Sequence, residues 1–126
     1  MRLLLDTHAF LWWRVGSAKL SVKAHDAILD SSNEILVSAA VAWEIVIKRA
    51  LKRLEFEGSV SAAIAEEGFV PLPITTAHVD ELALLPEHHR DPFDRLLIAQ
   101  ARRDGLTLVT HDKSIREYTG FASLRA

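Results

Sequence analysis

The chain has 126 residues, of which 49% are hydrophobic and 25% charged, with 15 Lys and Arg against 17 Asp and Glu for a formal net charge of -2. This is the composition of one globular domain, not of a disordered or fibrous chain, and so weak a net charge gives no global field for attracting nucleic acid. Zero cysteines exclude a disulfide framework, a thiol nucleophile and a cysteine zinc site, and agree with a reducing compartment. No apolar run reaches the roughly 18 residues of a membrane span. Three leucines between Arg2 and Asp6 are too few for the apolar core of a secretory signal, so a cytoplasmic location with no membrane contact is expected.

In chain order, strand-like and helix-like runs alternate. A strand at 2–5 leads to a helix over 7–14, and Ser21 caps a helix over 22–31. A strand at 34–38 precedes a long helix over 39–54, with Gly58 breaking the pattern. Ser59 then caps a short helix to 67, which Gly68 closes before a strand at 69–72. Thr75 or Thr76 starts a helix ending near Leu85, and 86–91 reads as a polar loop. Pro92 suits the first helical position of a segment running to Asp104, with Gly105 as its stop. A strand at 107–110, a short helix at 113–118 and a last strand near 121–124 complete the chain. Strands alternating with helices predict an α/β fold with a mostly parallel sheet of about five strands covered on both faces, in a single domain over 1–126.

Four acids stand where such a sheet would gather them. Asp6 follows the first strand directly, and Asp112 comes two residues after the strand ending at Thr110. Ligand crevices of open parallel sheets lie beyond the carboxyl ends of the strands. Glu44 sits in the second turn of the helix after the strand at 34–38, and Asp94 in the first turn of the helix opening at Pro92. Carboxylates at that density repel one another unless cations compensate them, and hard oxygen donors select Mg²⁺ or Mn²⁺. Glu44 is the least ordinary of the four because it interrupts the apolar run from Val41 to Ile47, where an unpaired carboxylate is costly. Its plainer role is an i,i+4 pair with Lys48, worth roughly 0.2 to 0.5 kcal/mol on an exposed face. Asp112 is also a good helix cap, and Asp91, three residues before Asp94, is assigned to capping the helix that Asp94 enters.

The blocks Leu5-Asp6-Thr7-His8 with Leu11-Trp12-Trp13, Ser38 to Ile45 with Lys48, His88 to Ala101, and Leu108 to Asp112 resemble, in order and spacing, the PIN-domain ribonucleases, and most closely the VapC-type toxins of toxin-antitoxin pairs. The likeness covers essentially the whole chain. It implies a PIN fold, a metal-dependent endoribonuclease leaving a 5′-phosphate and a 3′-hydroxyl, a cognate antitoxin and a homodimer. The family's four acids fall on Asp6, Glu44, Asp94 and Asp112, which the resemblance makes the catalytic metal ligands. His111 departs from the Arg or Asn that often precedes the last aspartate in the family, which bears on local substrate contacts.

Other residues take supporting parts. Thr7 and Thr110, with Asp91, are candidates to orient a ligand carboxylate or water. Lys48, Arg49, Lys52 and Arg53 form a basic stripe on the helix of Glu44, a candidate for RNA phosphates, since backbone contact dominates nucleic-acid affinity. Phe10, Leu11, Trp12 and Trp13 are consecutive, so on a helix they point all round it and predict a protein-binding surface. The pair His88-His89 makes a poor zinc site, because adjacent residues diverge on a helix and no HExxH occurs. A receiver domain would want paired acids after the first strand, where only Asp6 stands. A PIN-like module that binds RNA or protein without catalysis is the alternative to the enzyme.

Overall fold

The structure is a computed structural model that describes residues 1–87 and 91–126. Five strands, β1 (Arg2–Leu5), β2 (Glu34–Ser38), β3 (Val70–Leu72), β4 (Thr107–Thr110) and β5 (Ala122–Arg125), form one sheet in the order β3-β2-β1-β4-β5. Every neighbouring pair is parallel. Six helices connect and cover them: α1 (Thr7–Val15), α2 (Val22–Leu29), α3 (Ala39–Ala50), α4 (Val60–Glu66), α5 (Thr76–Ala83) and α6 (Pro92–Asp104). Among the described residues no helix is long and apolar enough to cross a membrane.

The strands alternate side chains between two covered faces, so both parities must be apolar. Leu3, Leu4 and Leu5 are all fully buried, as are Leu108 and Val109 beside them. Helix α6 is the most enclosed of the helices, with every residue from Leu96 to Ala101 buried, Gln100 included.

Helix boundaries follow local chemistry. Asp6, Ser21, Ser38, Ser59, Thr75 and Asp91 each accept a hydrogen bond from an amide in the first turn that follows, satisfying donors no helix can satisfy itself. Gly105 ends α6 in the left-handed region at φ 67°, with the Leu106 amide reaching back to the Ala101 carbonyl. Two helices stop short of the sequence expectation. Helix α3 ends at Ala50 and not at 54, because the Arg53 amide closes back onto the Lys48 carbonyl around Lys52, which adopts φ 58°. That closure usually takes a glycine, and a lysine in its place gives no stop signal to read. Helix α2 ends at Leu29 where the Asp30 carboxylate turns to accept from the amide and hydroxyl of Ser32. The expected helix at 113–118 is one 3-10 turn, Ile115–Glu117. The loop expected at 86–91 lies partly outside the described residues, and the His88-His89 pair lies wholly outside them.

Candidate active site

The chain runs from β1 outward through β2 to β3, then crosses back to lay β4 on the other side of β1. The strand order therefore reverses between β1 and β4, where open α/β sheets present their ligand crevice. Asp6 leaves the end of β1 there, and its amide continues the ladder by donating to the Val109 carbonyl at 2.9 Å. His111 and Asp112 leave the adjacent end of β4.

Asp6 is 2% exposed and divides its oxygens. Oδ1 accepts from the Ala9 amide at 2.8 Å and caps α1. Oδ2 faces His111, whose amide and Nδ1 both lie at 3.4 Å. Glu44, 3% exposed, projects from α3 and is held by two side chains. The Thr7 hydroxyl donates to Oε1 at 2.5 Å, and the Lys48 ammonium closes an ion pair with Oε2. Asp94 lies in the first turn of α6, where the Asp91 carboxylate accepts from the amides of Phe93 and Asp94. Asp112 accepts from the amide and hydroxyl of Ser114, and its own amide donates to the Thr110 hydroxyl at 3.1 Å.

Electrostatics ties the four acids to one pair of imidazoles. The rings of His8 and His111 stand 4.2 Å apart between centroids. Burial, reinforced by the neighbouring His111, lowers the His8 pKa against the opposing pull of Asp6 and Glu44. The His111 pKa is raised, chiefly by its hydrogen bond to Asp6 and further by the charges of Asp6, Asp112 and Asp94. Asp6 and Glu44 thus act on one ring, and Asp6, Asp94 and Asp112 on the other.

The donor set suits a hard divalent cation in chemistry, being carboxylate oxygen throughout. It is not gathered as a finished cage, since among the described residues no group of three or more His, Asp or Glu side chains is close enough to hold a metal ion. Some of the oxygens are already committed. Both Glu44 oxygens have protein partners, and Asp6 gives one of its two to the helix cap. Lys48 supplies positive charge beside Glu44, and His111 sets its amide and a ring nitrogen against Asp6.

Several sequence expectations change here. Lys48 turns inward to Glu44, and Arg49 donates to the carbonyls of Phe56 and Gly58, so these two do not form a solvent-facing phosphate stripe with Lys52 and Arg53. Lys52 and Arg53 lie beyond the end of α3 and are exposed. Phe10 is fully buried and packs near Phe56 and Phe69, which removes it from the predicted protein-binding surface. Leu11, Trp12 and Trp13 are half-buried, and Trp13 donates from its indole to Glu67 at 3.1 Å. What the sequence reading did not join is the His8–His111 pair. The available signal was that each lies within two residues of an acid at the ends of two strands that pair in the sheet.

The PIN domain family model matches residues 3–120. Ribonuclease VapC22 of Mycobacterium tuberculosis is 30% identical over 122 residues, covering 91% of this chain and 90% of that protein. Two solved structures share the fold at lower identity. The first is VapBC2 from Rickettsia felis bound to a DNA fragment from its promoter, with a TM-score of 0.70, 13% identity and coverage of 100% of this chain and 99% of the other. The second is DNA-bound VapBC from Salmonella typhimurium, with a TM-score of 0.69, 15% identity and coverage of 99% and 98%. The chain therefore belongs to the PIN-domain family, in its VapC branch.

Proposed function

We propose that this protein is an Mg²⁺- or Mn²⁺-dependent endoribonuclease that acts in the cytoplasm as the toxin of a toxin-antitoxin pair, built as one PIN domain. The observation that supports this reading most is the placement of Asp6 and Asp112 after the adjoining ends of β1 and β4, where the strand order reverses, with Glu44 tied to Thr7 beside Asp6 and Asp94 in the first turn of α6. These four acids are the proposed metal ligands and catalytic residues. A divalent cation held by them would supply positive charge to the scissile phosphodiester and make the attacking water more acidic. Around it, Thr7 fixes the Glu44 carboxylate by donating to Oε1, and Thr110 and Asp91 hold the backbone of Asp112 and the first turn of α6. Lys48 would have to release Glu44 Oε2 for that oxygen to serve as a ligand. Lys52 and Arg53 remain the candidates for RNA phosphates.

A cognate antitoxin is proposed as the physiological inhibitor, on the strength of the likeness to VapBC complexes. Leu11, Trp12 and Trp13 are the proposed contact residues on α1, next to Val15, which is 77% exposed. A homodimer is also proposed, to be checked by light scattering of the isolated chain.

Purified protein incubated with total RNA, with and without Mg²⁺ or Mn²⁺, tests the enzyme. New RNA ends bearing a 5′-phosphate should form only with the metal, and their absence under all metal conditions would sink the reading. The second reading, a PIN-like module that binds without catalysis, is favoured by one observation, the Lys48–Glu44 pair that already satisfies the acid. It predicts RNA binding with no new ends.

A further inference from the structure

His8 and Trp12 stand one turn apart on α1, and His111 comes over from the end of β4 to meet both. The three rings touch one another, with centroids 4.2 Å apart for His8–His111, 5.4 Å for Trp12–His111 and 5.6 Å for His8–Trp12, all mutually tilted. Trp12 is half-buried against the core and anchors the group, while both histidines are partly covered and keep a side open to solvent. His8 makes no hydrogen bond or ion pair among the described residues, and its contacts are with the rings of Trp12 and His111. Its placement serves ring contact.

The surrounding charge shows what that surface is suited to hold. A polyanion that approaches Asp6, Glu44, Asp94 and Asp112 meets repulsion, the chain as a whole is weakly acidic, and Lys48 and Arg49 on the helix of Glu44 are committed internally. Close to the acids, affinity therefore gains from a contribution that does not depend on phosphate charge. Stacking of a base on aromatic rings supplies one, and it requires an unpaired base, because a base within a duplex has both faces covered.

We propose that His8, Trp12 and His111 form a stacking site for an unpaired nucleobase, which seats single-stranded RNA with its backbone against the acid cluster. The inference rests on the ribonuclease reading. Trp12 anchors the group. The open sides of the His8 and His111 rings offer the stacking surface, and these two act as positioning residues.

Binding in EDTA separates this from hydrolysis. A fluorescently labelled RNA decamer is titrated with the full chain, alongside the same decamer carrying one abasic nucleotide at each position in turn and alongside its duplex. His8→Ala should weaken binding of the intact strand by about 5-fold or more, the range of one lost base stack. His8→Phe, which keeps a ring and has no ionisable group, should restore it. One abasic position should weaken wild-type binding similarly and make His8→Ala and wild type equal, and the duplex should bind more weakly than the single strand. Equal binding of His8→Ala and wild type to the intact strand overturns the site, as does a loss that persists on every abasic strand or is not rescued by Phe. A surface that serves only a protein partner gives that first result. Parallel incubation with Mn²⁺ keeps the two readings distinct: ring-dependent binding without cleavage removes the nuclease and leaves the stacking site, and cleavage without ring dependence does the reverse.

Discussion

Lys48 stands one helical turn beyond Glu44 on α3 and pairs its ammonium with Glu44 Oε2, while Thr7 from α1 holds Oε1. The pair is unlike an exposed i,i+4 pair, because the carboxylate is almost wholly buried and the ammonium is about one-third exposed. Removing the lysine leaves a buried charge without its cation, and that costs more than the pair itself contributes. Lys48→Met should therefore lower the melting temperature in EDTA. Millimolar Mn²⁺ should then raise it by more than it raises the wild type, because the ion no longer competes with a built-in cation. For the wild type, a free ion concentration one hundred times the dissociation constant corresponds to about 2.7 kcal/mol of added stability. Differential scanning calorimetry at matched ionic strength checks both, and equal Mn²⁺ shifts in the two proteins would count against Glu44 as a ligand.

Single amide substitutions at the acids separate ligand roles from folding roles. Asp6→Asn, Glu44→Gln and Asp94→Asn should each abolish RNA cleavage, and Asp112→Asn should reduce it less. Asparagine caps a helix about as well as aspartate, so Asp6→Asn should keep α1 intact, whereas Asp6→Ala should lose about 1 kcal/mol with the Ala9 contact. Glu44→Gln is the one of the three expected to lose stability, because Lys48 loses its partner. Denaturant titration beside a cleavage assay distinguishes these outcomes, and full activity in Asp94→Asn would remove that residue from the set.

Much of this arrangement was legible in the sequence, for identifiable reasons. The uninterrupted Leu3-Leu4-Leu5 run announced a strand covered on both faces, and capping residues announced four helix starts at Ser21, Ser59, Thr75 and Asp91. Asp6 and Asp112 could be placed at strand ends because helix and strand periods change beside them. The direction of long side chains could not be read. Lys48, Arg49, Lys52 and Arg53 look like one stripe on a helical projection, but the left-handed turn at Lys52 breaks the helix and buried partners claim the first two. Nor does local sequence fix which ring of α1 faces inward, since that depends on Phe56 and Phe69, elements far along the chain.

Phe10 and Trp12 should accordingly behave differently. Phe10→Ala opens a cavity in a fully buried site and should cost about 3–5 kcal/mol. Trp12→Phe keeps an aromatic ring at a half-buried position and should cost distinctly less. Chemical denaturation of the two variants reads the difference, and a near-neutral Phe10→Ala would return that residue to the surface.

The two imidazoles at the site should give the metal-free protein opposite dependences on pH. The His111 pKa is raised by its bond to Asp6 and by the surrounding carboxylates, so the folded state holds this proton more tightly than the unfolded chain does. Its contribution is fully present below the unfolded value of about 6.5 and is lost as the pH rises through the higher folded value. The His8 pKa is lowered by burial and by His111, so its proton is held less tightly on folding. Stability linked to His8 is therefore greatest above about pH 6.5 and declines as the pH falls through the lower folded value. In wild type the two slopes oppose each other, and single variants expose each one. The stability difference between wild type and His111→Ala, measured by urea titration in EDTA, should be largest at pH 5.5 and shrink by pH 8. For His8→Ala the variant should gain on wild type as the pH falls over the same range. Parallel pH profiles for wild type and His111→Ala would show that the Asp6 contact does not hold this proton.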